Sequence, residues 1–304
     1  PPLPAGDPLR SSDLQVALWC CHELACRGFD GVELDEHDPV LVGFRNVLSG
    51  AFEAALRALV PKASGAGGWD ADAVAGEVAA AGWDASSLPV WLAGHGDRPE
   101  ARDYLALRAA GELRPPDPHT LGVPRLGGAA KAALLSVTFD DLGDGSARVA
   151  RADAFAASAA AVGVDPATLD LAAVPAEALA AVNLPWLLGV ERRLRFALCG
   201  HLAARTAAGA LASGRLAAWA ERLGLPGGWF ALRAAADPAH DRIVRERLLP
   251  ALLADDPGCA GEVIFGARAL AALECRLASV AVGAWHADRS VLSPASGRRR
   301  SLAA

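Results

Sequence analysis

Residues 261–285 read GEVIFGARALAALECRLASVAVGAW, with apolar side chains at 263, 264, 267, 270, 273, 277, 280 and 281. That recurrence has a period near 3.6 and marks one buried face of a core helix, expected over about 258–287. Working outward, the same Ala–Leu–Arg–Glu vocabulary predicts helices over about 12–27, 40–60, 70–81, 99–113, 129–141 and 148–162. Further ones follow over 174–182, 184–211, 213–223, 228–236 and 238–254. Asp165-Pro166 is expected to open a short helix, and Asp237-Pro238 another, each with Asp as N-cap and Pro at the first helical position. The stretches GFDGVELDEHDP and AGWDASSLP read as loops, the second leading to a weak segment at Val90–Leu92. No run alternates with a two-residue period and no repeat is visible, so the chain is expected to form one all-α multi-helix bundle. The expected divisions are a Pro-rich lead-in at 1–11, one helical domain at 12–290 and a polar tail at 291–304.

Composition agrees and excludes several classes. Of 304 residues, 53% are hydrophobic and 70 are Ala, so a sizeable core is within reach and global disorder is out. Basic residues are 27 Arg against only Lys62 and Lys131, which points to a GC-rich coding sequence. The net charge of −6, with basic residues interleaved among acids, speaks against a nucleic-acid partner. No stretch of 18 apolar residues suggests a membrane span, and PPLPAGDPLRSSD has no signal-peptide character, so a cytoplasmic location is expected. The six cysteines, at 20, 21, 26, 199, 259 and 275, fit neither a zinc site nor a disulfide framework and read as small buried residues.

Chemistry in an all-α bundle is most naturally metal-based, with acids and histidines projecting inward from facing helices. The chain offers His22 and Glu23, Asp140 and Asp141, Glu191 and His201, and the i,i+3 pair Asp237 and His240. A dinuclear iron site needs about six such ligands. Local alternatives stand beside each. Glu23 can pair with Arg27, His201 can be a hydrogen-bonded core histidine, and His119 can be a turn residue after Asp117-Pro118. His22, His37, His95 and His286 read as surface or loop. Asp140 and Asp141 at a helix C-terminus oppose the macrodipole, so an Arg partner is expected there.

Four segments carry a resemblance: LWCCHELACRGFDGVELDEHDP (18–39), DPHTLGVPRLGGAAKAAL (117–134), NLPWLLGVERRLRFALCGHLAA (183–204) and GEVIFGARALAALECRLASVAVGAWHADRS (261–290). In order and spacing they are similar to the iron-containing redox enzyme family, over nearly the whole chain. The resemblance implies a heme-oxygenase-like helical bundle that holds non-heme iron and no heme. Members use two irons and oxygen for reactions such as N-oxygenation and oxidative C–C cleavage, and many are dimers. Seven ligand positions map onto 115, 141, 148, 151, 233, 237 and 240. Asp237 and His240 match the pattern and Asp141 is a shortened acid, whereas Pro115, Arg148, Arg151 and Arg233 replace ligands. The Glu expected five residues after His201 is Thr206, and the His expected two after Glu23 is Ala25.

A guanidinium is permanently cationic and repels Fe²⁺. The leading expectation is therefore a metal-free binding or scaffold protein, as a homodimer or beside an active relative. The first alternative is an oxidoreductase with a mononuclear or rearranged iron site on Asp141, Asp237 and His240, assisted by Glu23 or His201. The second is a cavity that binds an anionic small molecule through Arg148, Arg151 and Arg233.

Overall fold

The structure, a computed structural model, describes residues 6–26, 29–63, 68–113, 117–146 and 151–293. Among them there are helices and no strands. In chain order these are α1 (Ser12–Cys26), α2 (Pro39–Leu59), α3 (Ala71–Ala85), α4 (Ser87–His95) and α5 (Arg98–Glu112). Then come the single turn α6 (Asp117–Thr120), α7 (Gly128–Asp141), α8 (Arg151–Ala160), α9 (Ala176–Val190) and α10 (Arg195–Arg222). The chain continues with α11 (Gly228–Ile243), a π-helical turn (Val244–Leu248), α12 (Leu249–Asp255) and α13 (Ala260–Trp285).

Helix starts follow the local chemistry. Asp38 caps α2 by accepting from the backbone N–H groups of Val40 and Leu41, with Pro39 at the first position. Asp70 caps α3 through Ala73 N–H at 2.8 Å.

The two longest helices, α10 and α13, form the spine. A Cβ on Gly200 would collide with the Val263 carbonyl, and one on Gly266 with that of Ala197. Only glycine lets the two backbones approach this closely. Around the spine lie two apolar cores. One gathers α1, α2, α3, α7 and α12 about Leu18, Phe52, Leu134 and Ile264. The other gathers α4, α5, α8 and α11 about Tyr104, Phe155, Trp219 and Trp229.

Several local expectations are corrected. Residues 87–95, read as loop and weak segment, form α4, because Leu88 and Leu92 sink completely into the second core. Asp165 closes a single turn on Ala167 N–H and the Thr168 hydroxyl and opens no helix. The break expected near 182–184 falls instead at Glu191–Leu194, between α9 and α10. Pro238 starts no helix; α11 runs straight through it to Ile243. The lost bond to the Ala234 carbonyl is offset by full burial of Trp229 and Phe230 against the neighbouring helices.

The folded unit also reaches past 12 and 290. Leu9 is buried beside α1, and Val291 N–H donates to Asp103 on α5. Of the cysteines only Cys199 and Cys259 are buried; Cys26 and Cys275 are exposed, and all six are free thiols. No described helix is long and apolar enough to cross a membrane.

Candidate functional site

At the end of α7, Asp141 turns inward and is 2% exposed. Arg151, the first residue of α8, places Nη2 3.0 Å from Asp141 Oδ1 and 3.3 Å from Asp237 Oδ1 on α11. Arg205 on α10 donates from Nη2 to Asp141 Oδ2 at 2.7 Å. Arg233, one turn before Asp237, donates from Nε to Asp237 Oδ2 at 3.2 Å. The result is a chain of alternating charge, Arg205–Asp141–Arg151–Asp237–Arg233, buried at its three central members and half-buried at both ends. Gly209 on α10 is part of the design: a Cβ there would stand 2.5 Å from Asp237 Oδ2.

His240 lies one turn beyond Asp237, 2% exposed. Its Nε2 is 2.5 Å from Asp140 Oδ2, and its Nδ1 is 3.7 Å from Asp141 Oδ1 without a hydrogen bond. Burial alone would push the Asp141 carboxyl up; Arg205, Arg151 and His240 outweigh it and hold it below the usual carboxylate range. Burial opposes the charge of Arg233, and Asp237 more than restores it.

Behind this network, between the two apolar cores, lies a cavity of about 150 Å³. Tyr104, Trp186, His201, Arg205 and Arg233 help to line it, together with Arg108. Arg108 is held bidentately by Glu274 at 2.6 and 2.7 Å. Every guanidinium named here thus already has an acid. His201 is packed against His119, with Nδ1 3.0 Å from His119 Nε2, and burial lowers its pKa to about 3. His119 sits in the single turn α6 and is buried there, whereas His22, expected at the surface or in a loop, is 1% exposed, within 3.3 Å of Asn183 Oδ1 and lowered to about 3 by burial.

The structure thus brings together Asp141, Asp237, His240, Arg151 and Arg233. Glu23 is buried on α1 but does not line the cavity. Pro115 and Arg148 lie outside the described residues, as does Arg27, the expected partner of Glu23. Asp237 is no N-cap: its carboxylate is spent on two arginines. One participant escaped the sequence reading: Arg205 is signalled only by its i,i+4 spacing from His201.

Asp140, Asp141 and His240 each offer one ligand atom within 4.8 Å of the others, the one such group of acids and histidines among the described residues. Asp237, Glu23 and His201 stand outside that group. The residues do not fit a dinuclear iron centre. Arg151 Nη2 bridges the two carboxylates that would hold the metals, and both oxygens of Asp141 already face arginine. A divalent ion added there would meet three guanidiniums instead of open ligands.

An all-α bundle with an acid-and-histidine group at the junction of α7 and α11 is of the heme-oxygenase-like class. The family model described as iron-containing redox enzyme matches residues 102–275, a span that includes α6 to α12 and the whole charge network. The chain belongs to the iron-containing redox enzyme family. No curated protein matches it.

Proposed function

We propose that this chain is a metal-free member of its family, a binding or scaffold protein in which a salt-bridge network stands where relatives hold two irons. The observation that supports this reading is Arg151, whose one nitrogen lies within 3.3 Å of both Asp141 and Asp237. Three arginines neutralise the two acids, so the centre needs no cation for charge balance. The retained cavity is comparable with engineered cavities that accept a benzene-sized molecule, so a small ligand is the natural occupant. Purification after iron loading, followed by metal analysis, tests the proposal. It expects less than one iron per chain; two tightly bound irons overturn it.

A second reading has one observation in its favour. Asp140 and His240 meet beside Asp141, and His240 Nδ1 makes no hydrogen bond, so one divalent ion could take these three as ligands. On this reading His240→Ala abolishes the uptake of one metal ion per chain; unchanged uptake rejects it.

A further inference from the structure

Three residues that line the cavity each bury a polar atom that makes no hydrogen bond among the described residues. They are Glu112 on α5, through Oε2, and Ser213 and Arg205 on α10, through Oγ and Nε. Arg205 has spent Nη2 on Asp141, so its Nε is the nitrogen left over. Residues 205, 209 and 213 follow a four-residue spacing and lie on one side of α10, the side that forms the cavity wall. A buried polar atom without a partner is costly, and three around one space form the polar half of a binding site.

Leu107, Leu216, Leu270 and Trp186 supply the apolar half, and the small residues Ala208, Gly209 and Ala212 leave the space open. Charge then limits what can enter. Arg108, Arg151, Arg205 and Arg233 stand against Glu274, Asp141, Asp237 and Glu112, so the Glu112 carboxylate completes an even balance. His201, lowered to about 3 by burial, adds no charge at neutral pH. An ionic guest of either sign would therefore bring an unmatched charge into the interior, which costs far more than a neutral one. A wholly apolar guest would leave the free oxygens unused. Glu112 Oε2 accepts a hydrogen bond, and the Ser213 hydroxyl can give or accept one.

We infer that the cavity binds a neutral small molecule with a benzene-sized apolar body and a head that both donates and accepts hydrogen bonds, a primary amide or an alcohol, held between Glu112 and Ser213. The inference rests on the reading of the cavity as a ligand site and adds the class of ligand.

The test is calorimetric titration of the full chain with benzamide and benzyl alcohol, against benzoate, benzylamine and toluene as probes of similar size. Iron is counted in the same preparation. Benzamide or benzyl alcohol is expected to bind about tenfold or more tightly than either ion and than toluene. Glu112→Gln removes the balancing negative charge and is expected to raise benzoate to the level of benzamide. Ser213→Ala, which keeps the inference testable should the first variant fail to fold, is expected to weaken benzamide about fivefold and leave toluene unchanged. The inference is overturned by an ion or toluene that matches benzamide on the wild-type chain, by no binding of any probe at millimolar concentration, or by variants that leave the ranking unaltered. Two irons per chain would overturn the metal-free reading instead, and the ranking alone would still decide the class of ligand.

Discussion

Gly209 on α10 and Asp237 on α11 are matched: the missing Cβ of the one is the space filled by the carboxylate of the other, whose Oδ2 would lie 2.5 Å from it. Gly209→Ala improves helix propensity by about 1 kcal/mol. It also displaces a buried carboxylate shared by buried Arg151 and half-buried Arg233, and breaking such a pair costs about 3–5 kcal/mol. The expected outcome is a net loss of about 2–4 kcal/mol, read from the urea midpoint. A variant as stable as the wild type would mean that Asp237 moves aside freely.

Arg151 joins two acids that would otherwise face one another in the interior. Arg151→Ala leaves Asp141 and Asp237 buried with one guanidinium fewer, and about 3–5 kcal/mol of stability is expected to be lost. The vacated position lies between carboxylate oxygens, where Mn²⁺ has ligands of the right kind. The melting temperature of this variant is therefore expected to rise with added Mn²⁺, while that of the wild-type chain stays still. Equal responses of the two proteins contradict the role given to Arg151.

Acid sensitivity is expected to begin early. His22 and His201 are both lowered to about 3 from 6.5, so the unfolded chain binds protons in a range where the folded one does not. Their stabilising effect is whole above about pH 6.5 and is lost as pH falls toward 3. By pH 5 each removes about 2 kcal/mol. The depressed Asp141 adds a second loss below pH 3.8, the range in which the unfolded carboxyl takes up a proton first. Chemical denaturation between pH 7 and 5 checks the first slope, and His201→Phe should make it shallower by about half.

Asp103 ties the C-terminal segment to α5. Its carboxylate accepts from Trp285 Nε1 at 3.0 Å, the Ser290 hydroxyl at 2.7 Å and Val291 N–H at 2.8 Å. Asp103→Ala leaves two buried donors unpaired and is expected to cost about 2–4 kcal/mol. Hydrogen exchange at Val291 should quicken by more than the global loss accounts for.

The helical fold was legible from the period of residues 261–285, because a buried stripe repeats locally and needs no knowledge of its neighbours. Pro238 was misread for the complementary reason. A local rule made it a helix start, and the packing of Trp229 and Phe230 overrode the rule. At the site, an arginine partner was expected for the acids that end α7, but which arginines reach them could not be read. The pairing of Arg205 with Asp141 spans 64 residues, and that of His240 with Asp140 spans 100. Contacts at such separation leave no periodicity for a single sequence to display. His22 was misplaced likewise, since its burial is decided by α9 rather than by its own helix.

The alternating chain of Arg205, Asp141, Arg151, Asp237 and Arg233 also acts as a ratchet on the sequence. A domain has about 5–15 kcal/mol of stability in total, and exchanging any of the buried members Asp141, Arg151 and Asp237 for a neutral or opposite charge removes about 3–5 of it. A single substitution toward a ligand-rich centre at 151 thus passes through a poorly folded protein. Coordinated replacement of an arginine together with its neighbour does not. With the three buried members each paired to a neighbour, no single replacement among them leaves the rest paired.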